Sequence, residues 1–429
     1  MLVPMNELKN MIKGRLWLPC DAGFDEARTP WNLSVDQPVA AVVEAAGADD
    51  VAATVGHAAL HGLTVTTQAS GHGAVTAEGV ILLRTHLMDT VEIADGVARV
   101  GAGAKWGQVL SAAGPLGLTG VAGSSPVVSV TGYTLGGGLG WFSRKYGFAS
   151  ASVLAADVVD ATGARVRVTA ESDPELFWAL RGGGGDFAVV TGLEFALSPA
   201  PVLYGGRMMW PAERAPEVLA AFREVTAGAP EELTVWFDLL KFPGAPGLVA
   251  VDCTYLGEDP GELLRPFDAI GGAIGDTRAV LPVADLGSIC AEPTDPTPSA
   301  GRVELLTGLD DAVAAALLAD PIDPLFNVQV RHLGGALTRP SGGAAGELTE
   351  PYLLYMVGPA MPGTAERMDV LSKALVPHTS GRKPYTMLHS GEQAASAFDA
   401  GTLARLRDLK RARDPHGVLR ANYPVLGTA

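Results

Sequence analysis

The sequence predicts an α+β fold in two domains, on three observations. Its 429 residues exceed what one ordinary hydrophobic core organises. Up to about residue 200 short strand-like and helix-like runs alternate between glycine-dense loops; beyond it the strands lengthen and helices separate them. With 48% hydrophobic and 18% charged residues, the chain is composed to build cores rather than to stay disordered.

Taken in order, "AAVVEAAG" (40–47) reads as a strand. "ADDVAATVGHAALHG" follows with an Asp pair near its start, Val51, Val55 and Leu60 at helical spacing, and Gly62 as a stop. "LTVTTQ" is β-rich, and "GVILLRT" and "VARVGAG" are two further strands. "KWGQVLSAAGPLG" is a helix closed by glycine. In "VLAADVVDATGARVRV", the "DATG" is a hairpin turn signal. "DPELFWALRG" puts Pro early in a helix and Gly after its end, and "FAVVTGLEFAL" is a strand. Next, "VLYGGRMMW", "ELTVWFDLLKF", "GLVAVDCTYLG", "NVQVRHLGGAL" and "YLLYMVGP" predict a mostly antiparallel sheet, backed by helices at "APEVLAAFREVTA" and "GELLRPFDAIGGAIG". The last stretch, "TLARLRDLKRARDPHGVLRANYPV", predicts a charged amphipathic helix ending at Asp414-Pro415 and then an extended segment. The expected organisation is a domain over 1–200, a second over 201–395, and a segment 396–429 that returns to the first.

A formal net charge of -16 repels phosphate backbones and argues against nucleic acid as a partner. Cys20, Cys253 and Cys290 match no zinc or redox spacing, and no charged segment followed by a long apolar stretch opens the sequence; a cytoplasmic protein is expected. No apolar run approaches membrane-spanning length, so no membrane partner is expected.

One loop stands out. "QASGHGAV" (68–75) sets one imidazole, His72, among small residues. Small residues let consecutive backbone N–H groups form an anion-binding concavity, suited to a pyrophosphate. The loop joins two strand-like runs, so it is no Walker or Rossmann loop, and "LGGGLG" carries Trp141 where a dinucleotide fingerprint needs its last glycine. No second His or Cys lies within a few residues of His72, so no metal is expected there. On the residues alone, an anion-binding loop and an ordinary glycine turn both stand.

The order of motifs goes further. "LPCDAGFDEARTPWN", "QASGHGAV", "VARVGAGAKWGQV", "VTGYTLGGGLGWFSRKYG", "SDPELFWALRGGGGDFAVVT", "VRHLGGAL" and "RLRDLKRARDPHGVLRANYPV" follow one another along the chain. In that order they resemble the berberine-bridge-enzyme-like branch of the vanillyl-alcohol-oxidase superfamily, FAD-linked oxidoreductases with a PCMH-type FAD-binding fold. The resemblance implies that the first domain and the tail bind FAD, while the middle domain, an antiparallel sheet covered by helices, roofs the substrate side.

It implies residue roles as well. His72 would bond covalently to the flavin 8α-methyl. Ser70, Gly71, Gly73 and Ala74 would offer N–H groups to phosphates. Gly132, Gly136, Gly137, Gly138 and Trp141 would line the cofactor's path, Val190 its adenine end, and Asn422 and Tyr423 would return to the flavin. Val130 holds the place that controls oxygen access. The usual Arg of the histidine loop is here Gln68 and a usual Gly is Ser70. Ser125 replaces a cysteine that forms a second flavin bond in many relatives, so a single attachment through His72 is expected.

The implied reaction is hydride transfer from an alcohol or amine-type C–H of a small molecule, such as a secondary metabolite, to flavin N5, with oxygen reduced to hydrogen peroxide. Candidate proton acceptors are Tyr133, Tyr352, Tyr355 and His389. Three positions separate Tyr352 from Tyr355, so on one strand they face opposite sides. Arg331 is a candidate for steering an anionic group. A flavoprotein recruited to oxidative or redox-neutral cyclisation, and a metabolite-binding resistance protein, are the alternatives. Nothing in the sequence implies an oligomeric state.

Overall fold

The computed structural model describes residues 2–427. Its first sheet has the spatial order Arg15–Trp17, Ala41–Glu44, Ile81–Arg84, Val65–Gln68, Leu419–Arg420. The first pair is antiparallel and the other three are parallel. Helix Ala48–His61 makes one crossover and ends on Gly62 in the left-handed region, as its sequence predicts. Val51, Val55 and Ala58 turn into a core with Ala41, Val43, Ile81 and Leu83.

The second parallel crossover has no helix. Val65–Gln68 and Ile81–Arg84 are adjacent and parallel, so the chain between them must travel back along the sheet. The small-residue loop with His72 makes that return, and it starts at the carboxyl end of a parallel strand. In open α/β sheets this is where ligands bind.

A second sheet is wholly antiparallel, in the order Val91–Ala94, Val97–Gly101, Val189–Ala196, Val153–Val159, Arg165–Val168. "DATG" makes its hairpin turn: Asp160 Oδ1 accepts from Thr162 N and Ala164 N, and Gly163 takes φ 88°.

The third sheet is eight-stranded and antiparallel. Seven strands run in the order Gly275–Asp276, Tyr204–Pro211, Leu248–Tyr255, Leu233–Leu240, Asn327–His332, Tyr352–Pro359, Ser299–Leu306, and Ala279–Val280 pairs beside Tyr204–Pro211. Helices Ala215–Ala227, Asp311–Leu318 and Thr364–Leu375 bury Phe222, Leu317 and Leu371 against one face, with Val235, Phe237, Val251, Val330 and Leu354. One expectation fails here, and one strand is new. "GELLRPFDAIGGAIG" shrinks to a turn at 261–264 and a helix at Arg265–Asp268, because Gly271 and Gly272 take φ 67° and 64°. Ser299–Leu306 was not foreseen: it is an edge strand opening on small residues, and Gly301 leaves room for His389.

Candidate functional site

The loop 69–74 is held by its carbonyls. Ser70 O accepts from Trp31 N at 3.1 Å, Gly71 O from Asn32 N at 3.3 Å, and Gly73 O from Asn422 Nδ2 at 2.6 Å. Among the described residues, no acceptor within the chain meets the backbone N–H groups of Ser70, Gly71, His72 and Gly73, whereas Ala74 N turns back to Gly71 O at 3.4 Å. Four free donors on small residues form the concavity the sequence suggested, and Ala74 drops out of it. Gly71 is obligatory: its φ is 87°, and a Cβ would sit 2.8 Å from Pro30 Cβ and 2.9 Å from Trp31 N.

His72 is fixed from two sides. Its ring stacks on Trp31, centroids 4.1 Å apart and planes 13° apart, and its Nδ1 lies 3.0 Å from Ser70 Oγ. Nε2 is buried with no partner. Burial, with the charge of Lys105 adding to it, lowers the imidazole pKa to about 4, so the ring is neutral at pH 7. Trp31 and Ser70 together orient it. Ser125 is 7% exposed, and its Oγ is another buried atom without a partner.

The tail is tied to the same region. Lys410 Nζ donates to Asp186 O, Asp414 Oδ2 and Leu419 O at 2.7–2.8 Å, while the Asp186 carboxylate accepts from Ala421 N and Val425 N. This places Asn422 over the loop. Tyr423 points elsewhere: its hydroxyl donates to Leu388 O at 2.6 Å, and burial raises its pKa. It anchors the tail and does not present a phenol to a ligand.

The glycine run also departs from expectation. A Cβ on Gly136 would meet Thr386, on Gly137 Phe148, and on Gly138 Tyr133 and Ala149; these glycines serve close chain packing. Gly132 faces open space and is exposed. Trp141 is fully buried and stacks on Trp236 with centroids 3.6 Å apart. Val130 and Val190, 0% and 3% exposed, pack into the core around Trp106, so neither side chain faces an opening.

The sheet face opposite its helices is buried, polar in the middle strands and apolar at Val303, Leu305 and Leu353 toward the Ser299–Leu306 edge. Asp238 Oδ1 accepts from Asn327 Nδ2 at 2.7 Å and Gln329 Nε2 at 2.8 Å, while Oδ2 has no partner. Burial, then the neighbouring Asp252 charge, pushes Asp238 up to about 7. Arg207 grips Asp252 through two bonds of 2.6 and 2.7 Å. Arg331 donates to Gln329 Oε1 and lies 4.0 Å over Trp236 and 5.3 Å from the Tyr355 ring centroid.

Of the four candidate acceptors, three lie toward this face. Tyr355 has its hydroxyl pushed up to about 12, by burial first and then by the charge of Glu292. The His389 ring lies 5.9 Å from that of Tyr355, with Nδ1 unpartnered. Tyr133 has a buried, unpartnered hydroxyl, and its ring packs edge-on to Trp106. Tyr352 is on the other face, with its hydroxyl 2.8 Å from Thr226 Oγ1 and its ring beside Phe222. Sequence reasoning missed Asp238, Gln329 and Glu292; alternation of polar residues in "WFDLL" and "NVQVRH" was the available signal for the first two, and Glu292, in a loop, had none.

A neutral imidazole with an unmatched nitrogen, free N–H donors beside it and a buried unmatched Ser125 fit FAD as the group bound here. The comparisons agree. Residues 39–169 match the FAD binding domain family. The chain is 36% identical over 205 residues to (R)-6-hydroxynicotine oxidase of Paenarthrobacter nicotinovorans (46% of this chain, 45% of that one). It is 30% identical over 256 residues to chitooligosaccharide oxidase of Gibberella zeae (56% and 51%). The chain thus spans about half the length of the curated relatives it matches. Whole-chain similarity is structural. The crystal structure of 6-hydroxy-D-nicotine oxidase from Arthrobacter nicotinovorans superposes with TM-score 0.83 at 25% identity, over 95% of this chain and 97% of that one. The BBE-like 1 protein of Physcomitrella patens superposes with TM-score 0.85 at 19% identity, over 98% of each chain. Residues 39–169 are therefore an FAD binding domain, carried on the two-domain α+β fold of the BBE-like and PCMH-type FAD oxidases.

Proposed function

We propose that this chain is an FAD-dependent oxidase of a small molecule, with the flavin attached through His72 alone. When bound, FAD supplies a two-electron acceptor for a substrate C–H hydride and returns the electrons to oxygen, giving hydrogen peroxide. Residues 1–200 and 396–429 form the FAD unit and 201–395 the substrate unit. The carrying observation is His72: neutral, clamped between Trp31 and Ser70, with Nε2 unmatched. Attachment at Nε2 requires the tautomer with its proton on Nδ1, donating to Ser70 Oγ.

The buried sheet face supplies proton handling. Tyr355 is the group on this face placed to exchange the O–H or N–H proton of the substrate, while Asp238, fully buried with one unmatched oxygen, stands behind the face and does not touch substrate. Gln329 and Asn327 hold its other oxygen in place. Arg331, held 4.0 Å over the Trp236 ring, orients an anionic or carbonyl-bearing substrate. No helix among the described residues is long and apolar enough to cross a membrane.

The test needs no known substrate. The purified yellow protein is photoreduced without oxygen and then mixed with air. An oxidase regains its colour within seconds and forms an equivalent of peroxide. Colour that stays bleached for minutes would overturn the oxidase reading.

A further inference from the structure

The first domain carries a second cluster of ligating groups, on its outer surface and unconnected with the flavin loop. Met5 and Leu8 of the N-terminal helix Leu2–Met11 are 2% and 0% exposed, docked on the core that Val51, Val55 and Ala58 of helix Ala48–His61 share. That docking sets Glu7 beside His57 and His61. The two histidines are four residues apart on one helix and so share a face. Their rings lie 4.3 Å apart, centroid to centroid, at 46°. His61 Nε2 is 3.7 Å from Glu7 Oε2. One ligand atom from each of Glu7, His57 and His61 lies within 4.8 Å of the other two.

His57 is the telling member. It is 2% exposed, and its Nε2 is buried with no hydrogen-bond partner. A buried imidazole nitrogen without a partner costs free energy unless something satisfies it. Two imidazoles and a carboxylate are a borderline-soft donor set, the set that zinc and its first-row neighbours take. Tetrahedral ligands at ~2.0–2.2 Å from a metal sit ~3.4 Å apart, so closing the present spacing takes small rotations. Glu7 and His61 have side chains 62% and 34% exposed and are free to make them.

We propose that Glu7, His57 and His61 form a site for a zinc-class divalent transition metal, which pins the N-terminal helix to the helix Ala48–His61. Three protein ligands leave a fourth position to water. Such a metal stabilises the first domain by mass action without entering the flavin chemistry.

The test uses the full-length, flavin-loaded protein without a histidine tag, stripped with chelator and titrated calorimetrically with zinc chloride. One equivalent should bind and raise the unfolding temperature, with the flavin absorbance unchanged. His61→Ala, at an exposed position that keeps the fold, should abolish both the binding and the thermal shift, and Glu7→Gln should weaken both. His378→Ala, a histidine near Asp310 outside the cluster, should change neither. No stoichiometric binding by the parent protein, or equal binding by parent and His61→Ala, would overturn the proposal.

Discussion

Replacing Asp238 by Asn should make the protein more stable, and increasingly so as the pH rises. The carboxyl is 0% exposed, with one oxygen taken by two amide donors and the other unmatched. Its pKa rises from the ordinary 3.8 to about 7 in the fold. At about 1.4 kcal/mol per pH unit of displacement, that is ~4 kcal/mol. The sign follows from the raised folded value. The fold favours the protonated form, so stability fully present below pH 3.8 is lost as the pH climbs toward 7 and beyond. Asparagine keeps an oxygen for Asn327 and Gln329 and places an uncharged amide where Oδ2 was unmatched. Urea unfolding of both proteins, equally loaded with FAD, at pH 5.5 and 8 measures the effect. The advantage of the variant should grow by ~2 kcal/mol between those pH values, the share of the ~4 kcal/mol that falls above pH 5.5. Equal differences at both pH values would refute the buried, near-neutral carboxyl.

Gly71→Ala forces a side chain into positive φ against Pro30 and should leave the purified protein largely colourless, readable from the ratio of absorbance near 450 nm to that at 280 nm (about the usual flavin and protein bands). The two strand tyrosines should separate cleanly. Tyr352→Phe should lower stability by ~1 kcal/mol, through its lost bond to Thr226, and leave turnover near normal; Tyr355→Phe should do the reverse, as paired melting curves and rate measurements would show. Lys410→Met removes a buried ammonium with three oxygen partners and leaves Asp414 and Asp186 uncompensated; a loss of ~3–5 kcal/mol and rapid proteolysis of the C-terminal segment are expected.

Much of the fold was legible because its signals are local. Gly62 ends a helix and "DATG" turns a hairpin through conformations set by a few residues. The five long strands of the third sheet announced themselves through apolar alternation, whereas Ser299–Leu306 begins with small residues and carries no such pattern. At the site, the residues around His72 allowed both an anion-binding loop and an ordinary turn, and it was the order of motifs along the whole chain that favoured the first. Roles that depend on the far side of the fold could not be read. The close approach of Thr386 to Gly136, of Phe148 to Gly137 and of Ala149 to Gly138 cannot be seen in the glycine run itself. Tyr423 meets Leu388 across the interior, and Asp238 meets Asn327 and Gln329 from the next strand. Alternation in "WFDLL" and "NVQVRH" marks Asp238 and Gln329 as sharing a face type, but not which partner each one meets.

The attachment of flavin to His72 is the claim on which the rest turns. Denaturing the purified protein in acid, with His72→Ala beside it, tests that claim most directly. Yellow colour that stays with the precipitated parent chain and washes out of the variant is the predicted result. Colour that washes out of both would mean that the unmatched nitrogen of His72 forms no bond to the cofactor, and the account of the loop would fall.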